Sequence, residues 1–563
     1  MKKTFPAKIL ISLCVNIAIA SVAIFVFGTY IFMDDDNILG YMTYGIITEA
    51  SSRVYYTNVL LGWLYKHLFS LVPGFNWQTL VYYLGMTFSG TVGLYSLLDK
   101  KNKNLIILWF LFELVFYNDV YIYLTYSVVA AFVACQGYLT LFLVGSKNEK
   151  RKILYVASGL SLVFSSMVRF DAFLGVSGFA FFVWLILVLR DVEGKCGIKC
   201  LLQKYIYPFV VILGVCLSFS IIDHFSYSKG DWKAYREYEK ERHISTDYRN
   251  SATTLDFDNL ETLGVNESMA RAVFEWRNND PEILPTEVLT TIANTKKDYN
   301  YFSSPYVWKD YMMQWSKLFT RFREVYFVLL LLFFFIWIVW KNDGRRALLL
   351  LILLFPFLGE FFYFAFIGRI DGGCYPDQSV YTVLMGLAMG LMSLYCVYDW
   401  EKVDCTIVLK MGFMVLAVSA ILVQPTKDYR VKGLGLVNTR EISEEYGFLG
   451  NPGKVYVCEY EVRTFIEESY GAWQTPPEGF MDQCVVLGSW LVNHPMQNKH
   501  QESLGVANPY RALFENDDVY YLSQRGSSDL VLEYLRENYD DMIDYEYIKE
   551  KGEFKVFKYY LDK

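Results

Sequence analysis

Tyr30-Ile31-Phe32-Met33-Asp34-Asp35-Asp36-Asn37 ends an apolar run, residues 9–32, of about a bilayer's thickness in three consecutive carboxylates. Lys2, Lys3 and Lys8 precede the run, which is too long for the apolar part of a signal peptide. It reads as an uncleaved first span with its N-terminus in the cytoplasm, which puts the three acids at the outer membrane face. Adjacent carboxylates repel and raise one another's pKa, an arrangement suited to a general base, a metal ligand or a cation site. The plainer alternative is a helix end kept in water.

Of the 563 residues, 54% are hydrophobic and 18% aromatic, and the apolar ones come in long blocks, so the chain belongs with polytopic membrane proteins. The formal charge of −7 is unevenly spread: Lys and Arg collect in short loops between apolar blocks, Asp and Glu in two long polar segments. Basic residues build no patch outside those loops, which excludes a nucleic-acid footprint. The ten cysteines are scattered, and Cys14, Cys135, Cys216 and Cys396 fall within expected spans, against a disulfide framework. Cys458 and Cys484 share the C-terminal segment and can pair if that segment lies outside.

Treating 54–72 as a full span would place Lys100, Lys101 and Lys103 outside, against the positive-inside rule. Segments 38–52 and 54–72 are therefore read as two helices lying at the outer interface, followed by a span at 77–98. Further spans are expected at 105–116, 121–144, 153–167, 173–189, 205–222, 325–340, 347–367, 380–397 and 406–423, about eleven in all, leaving the C-terminus outside. The expected fold class is a polytopic α-helical membrane protein with a small extracytoplasmic α/β domain. The expected division is 1–223, an N-terminal transmembrane module carrying the acidic motif; 224–322, an extracytoplasmic helical insert; 323–423, the C-terminal transmembrane helices; and 424–563, the α/β domain. Aromatics at helical spacing over 231–238 and a cap at Asn266 predict helices in the insert. Runs 454–458 and 554–557 predict strands, and 528–538 a helix.

Several charged residues stand at the outer ends of spans: Asp119 in the tight turn after the third, and Arg169 and Arg369 in later turns. Glu113 and Glu360 lie inside apolar spans. Ionisable groups at membrane depth are costly unless they are paired or face water, which makes all of these candidate functional residues, with interfacial snorkelling the structural alternative.

A first span ending in Met33-Asp34-Asp35-Asp36, two interfacial helices with Arg53 between them, a second acidic turn, and Val168-Arg169-Phe170 together resemble the GT-C class of membrane glycosyltransferases. Within it the chain is most similar to bacterial Gtr type II-like glucosyltransferases and their uncharacterised relatives. The resemblance covers the architecture of about residues 1–423. It implies transfer of a sugar from a polyprenyl-phosphate carrier to a cell-envelope acceptor outside the cytoplasmic membrane. Carried onto this chain, the acidic motif assigns catalysis to Asp34 or Asp35, with Asp119 contributing, and a divalent cation (magnesium or manganese) to Asp35 and Asp36. Arg169, Arg369 and Arg53 become the expected donor-phosphate ligands; relatives often place an arginine closer to a glycine, whereas Arg53 follows Ser51-Ser52.

Two other classes of function fit the same composition. A transporter or flippase for a lipid-linked saccharide would use Glu113 and Glu360 and would carry matching interrupted spans in two halves, which the sequence does not display. A non-catalytic membrane component of envelope glycan assembly would depend on 424–563 and tolerate loss of the acids.

Overall fold

The computed structural model describes residues 4–31, 34–100, 103–146, 152–193, 197–202, 206–247, 256–298, 305–342, 344–370, 378–395, 406–423, 439–459, 462, 466, 469–524 and 529–562. Helices occupy every position expected of a span, from Thr4–Val22 to Thr406–Val423. Six are long and apolar enough to cross a membrane: Pro6–Phe27, Lys103–Ile122, Tyr126–Val144, Phe170–Val192, Tyr207–Ser226 and Ala347–Phe366. A seventh arises if Tyr311–Arg321 and Glu324–Trp340, bent by 83°, form one broken span. Lys152–Val168, Ser379–Tyr395 and Lys410–Leu422 are apolar but shorter, so the remaining spans stay an expectation. Tyr126–Ser146 is the central helix, packed against Lys152–Val168, Gln378–Tyr395 and Trp77–Lys100. Tyr207–Ser226 lies at the opposite extreme, with most of its apolar surface uncovered by protein.

The first span ends earlier than residue 32. The helix Thr4–Val22 passes through a wider turn, Ala23–Phe27, and stops at Gly28, whose φ of 83° lies in a region that favours glycine. The chain then runs extended as β1, Tyr30–Ile31, and pairs in parallel with β2, Tyr123–Leu124, in the register Tyr30↔Tyr123 and Ile31↔Leu124. That pairing ties the start of the acidic motif to the turn that carries Asp119. The two expected interfacial helices are Asp34–Tyr44 and Val59–Leu71. Asn58 caps the second through the Leu60 N–H and donates to the Phe219 carbonyl, so the cap also anchors the first outer loop to the Tyr207–Ser226 helix.

Outside the bundle, five strands form a mixed sheet of order β4-β3-β5-β7-β6: β3 is Val455–Cys458, β4 Cys484–Val486, β5 Val519–Ser523, β6 Ile543–Lys551 and β7 Phe554–Leu561. The helix Asp529–Asn538 falls where the sequence places it, and Asn266 caps Glu267–Phe274 through the Met269 N–H at 2.8 Å. The insert and the C-terminal segment, read separately in the sequence, share one hydrophobic core. Tyr238, Leu260, Leu284 and Leu289 of the insert pack with Val455, Val457, Val485, Leu487, Tyr521 and Tyr534. Buried Asp280 accepts from Tyr534 Oη at 2.9 Å and Tyr539 Oη at 2.7 Å, and buried Glu459 accepts from Arg277 at 3.0 Å and Tyr521 Oη at 2.7 Å. Neither segment alone offers a closed apolar interior; the insert's helices cover the sheet. Cys458 and Cys484 are buried on neighbouring strands, their sulfurs 2.8 Å apart.

Candidate active site

The acidic motif opens the helix Asp34–Tyr44. The side chains of Asp34 and Asp35 lie outside the described residues. Asp36 is fully buried. Its Oδ1 accepts from the Tyr126 N–H at 2.9 Å, from Tyr82 Oη at 3.4 Å and from Gln78 Nε2 at 3.5 Å. Asp119 is buried in the wide turn Asn118–Ile122, brought close to the motif by the β1–β2 pair.

Next to Tyr126 a cavity of about 280 Å³ opens between the first outer loop, the turn between the Lys152–Val168 and Phe170–Glu193 helices, the outer end of Tyr207–Ser226 and the first helix of the insert, Asp231–Asp247. Tyr55, Tyr56, Thr57 and Asn58 form one wall; Ser166, Arg169, Phe170 and Asp171, a second; Ser220, Asp223, Tyr227, Arg236 and His243, the rest. The Arg169 guanidinium lies 4.1 Å above the Tyr56 ring and 4.8 Å from that of Tyr126, the residue whose amide Asp36 holds. Arg169 also meets the exposed Asp171 at 3.6 Å. Asp36, Tyr126, Arg169 and Tyr56 thus form one continuous chain from the acidic motif to the cavity. Burial pushes the Tyr55 hydroxyl up to about 12, reinforced by the Glu239 charge, so Tyr55 stays neutral at physiological pH.

On the insert side, His243 Nδ1 stands 2.5 Å from Asp247 Oδ2, and buried Arg242 pairs with Glu239 at 2.9 Å and Asp247 at 3.7 Å. Burial alone would raise the Asp247 carboxyl, but Arg242, His243 and the Arg369 charge hold it well below the usual carboxylate range. Arg369 therefore bears on Asp247 and is not among the residues lining the cavity. Arg53 stacks 4.6 Å over Trp232 behind the first loop. Of the three expected phosphate ligands, Arg169 alone lines the cavity. Arg236 and His243 join it there, unforeseen from the sequence; they lie seven residues apart and so share one face of the Asp231–Asp247 helix, a spacing that could have flagged them.

The two intramembrane acids lie elsewhere. Glu113 takes Gln136 Nε2 at 3.0 Å on one oxygen and Tyr121 Oη at 3.2 Å on the other, while Gln136 accepts from Trp109 Nε1 at 3.0 Å. Glu360 faces the Phe170–Glu193 helix where Gly175 and Gly178 leave room; a Cβ on either would come 3.4 or 3.3 Å from its carboxylate oxygens. Neither lines the cavity. Among the described residues, no three imidazole, thiol or carboxylate groups gather as metal ligands. Asp36 Oδ1 is held by N–H and O–H donors, and the side chain of Asp35, the other expected cation ligand, lies outside the described residues.

No family model matches the chain, and no curated protein sequence matches it. Two solved structures are similar in overall shape: ArnT from Cupriavidus metallidurans bound to undecaprenyl phosphate, with a TM-score of 0.46, and the same protein in the apo state, with 0.43. Each is 11% identical, and each comparison covers 97% of both chains.

Proposed function

We propose that the chain is an integral membrane glycosyltransferase of the GT-C type, moving a sugar from a polyprenyl-phosphate-linked donor to a cell-envelope acceptor, with the N-terminus in the cytoplasm and the sheet domain outside. The observation that carries this reading is the position of Arg169. It is a stacked guanidinium lining a cavity at one end of an apolar helix bundle, one residue away from the ligand of a buried carboxylate in the acidic motif. A lipid phosphate needs such a place, because its isoprenoid tail stays in the bilayer while its charged head sits in a cavity with water and cations. Guanidinium groups bind phosphate in a fork, and a stacked one is already oriented.

In the proposed reaction an acceptor hydroxyl oxygen attacks the anomeric carbon of the donor sugar. The bond from that carbon to the phosphate oxygen breaks, and the polyprenyl phosphate leaves with the electron pair. The hydroxyl proton passes to a carboxylate of the motif, Asp34 or Asp35, with Asp36 fixing the helix turn that presents them and Asp119 adding negative charge nearby. Arg169 and Arg236 neutralise the leaving phosphate. No step is routed through a cation.

The test is the envelope-glycan composition, by mass spectrometry, of cells lacking the protein and re-supplied with wild type, Asp34→Asn, Asp35→Asn or Asp119→Asn at matched expression. A sugar that disappears on deletion, returns with wild type and stays absent with either first-loop variant supports the assignment. Full restoration by both first-loop variants overturns it.

A further inference from the structure

Away from the cavity, one side chain of the sheet domain reaches back to the first outer loop. His494 caps the helix Pro495–Ser503, its Nδ1 lying 3.2 Å from the Met496 N–H. An amide N–H can only donate, so Nδ1 is the acceptor and the ring proton sits on Nε2. Nε2 lies 3.1 Å from the carbonyl oxygen of Arg53 and donates to it. The imidazole is therefore used completely, once within its own domain and once across 441 residues of chain.

Its surroundings hold it there. The Trp232 and Tyr235 rings stand edge-on to it at 4.9 and 5.0 Å, and Tyr235 Oη donates to the Trp490 carbonyl at 2.8 Å. Trp232 also carries the Arg53 guanidinium, and Trp490 meets the Tyr56 ring at 6.1 Å, so the same few residues grip the loop from both sides. Burial pushes the imidazole down to about 4, which keeps it neutral and able to accept at Nδ1.

The backbone around this contact is strained. Ser489, Asn493 and Trp276 are the non-glycine residues with positive φ among those described, at 128°, 61° and 59°; Ser489 and Asn493 lie in the turn that leads into His494. Gly488 packs against the Trp276 carbonyl so closely that a Cβ would overlap it. Strain of this kind persists only where the surrounding structure over-determines it, and it concentrates at functional contacts.

We infer that His494 is a positioning residue of the transfer site, an inference that rests on the reading given above. Its donated hydrogen bond fixes Arg53, and with it the wall Tyr55–Asn58 against which Arg169 stacks. The sheet domain thereby sets the geometry of a cavity to which it contributes no lining side chain.

Two substitutions separate this role from helix capping. His494→Asn keeps a short capping acceptor but cannot reach Arg53. His494→Gln places an amide N–H where Nε2 stands and loses the cap. Amide hydrogen exchange over residues 51–58 is measured on the full-length chain in detergent, and recovery of the missing envelope sugar is measured in deletion cells. We expect His494→Asn to exchange roughly tenfold faster over 51–58 and to restore the sugar at least tenfold more slowly than wild type, with His494→Gln within about twofold of wild type on both. Wild-type exchange and sugar recovery in His494→Asn overturn the inference, as does equal behaviour of the two variants. If wild type itself restores no sugar, the glycosyltransferase reading fails, while the exchange contrast still decides whether His494 fixes the loop.

Discussion

Glu113 and Arg169 are both ionisable residues of the helix bundle, and the structure treats them in opposite ways. Each Glu113 oxygen receives a donor from the same helix bundle, Gln136 on one side and Tyr121 on the other, and Glu113 is not among the residues lining the cavity at Arg169. Arg169 is held by aromatic faces, which orient the cation, meets the exposed Asp171 at 3.6 Å and borders a cavity. A carboxylate enclosed by matched donors acts as structural glue; a guanidinium stacked at the edge of open space is arranged for something that arrives.

The largest effect that sharpens this contrast is on sugar transfer. Arg169→Met should lower the recovered envelope sugar by about a hundredfold or more while the protein accumulates normally, read by glycan mass spectrometry beside quantitative blotting. Equal transfer by Arg169→Met would erase the distinction.

A smaller effect is expected at the border between bundle and sheet domain. The folded His494 imidazole titrates at about 4, below its ordinary value of 6.5, so the folded chain binds fewer protons than the unfolded chain between those limits. The stabilisation is complete above pH 6.5, falls as pH drops below that value and is gone below about 4, an amount on the order of 3 kcal/mol. Arg53 is the neighbouring charge that bears on this titration. Thermal unfolding of the outer unit, followed from pH 7.5 to 4.5 in wild type and His494→Gln, should show an acid-sensitive component that the variant lacks; parallel curves would remove His494 from the account.

The smallest effect is expected at Glu113. Glu113→Gln keeps an acceptor for one of its two donors and should cost about 1 kcal/mol of stability with transfer unchanged. Loss of transfer with stability intact would return Glu113 to the functional residues and favour a transport reading.

Helix placement was legible because apolar blocks and basic turns carry it locally, and so were the Val59–Leu71 helix, the Asn266 cap and two of the five strands, whereas the helix expected at 38–52 lies at Asp34–Tyr44. Arg169 was legible as a costly charge at the end of a span. The β1–β2 pair was not, because two residues per strand leave no periodicity to detect. The shared core of insert and sheet domain was also hidden, since the Arg277–Glu459 and Asp280–Tyr534 contacts join residues far apart in the chain. A lone histidine gives no spacing signal, so His494 acquires meaning only from the Arg53 carbonyl. Arg53 itself was read as a phosphate ligand, but its side chain stacks on Trp232 and its carbonyl anchors the loop.

The most direct measurement is binding of a polyprenyl monophosphate to the purified full-length chain, by native mass spectrometry, in wild type, Arg169→Met and Glu113→Gln. Saturable binding weakened at least tenfold by Arg169→Met and left unchanged by Glu113→Gln is the expected result. Binding equal in all three, or absent from wild type, would contradict the assignment of the cavity to a lipid phosphate.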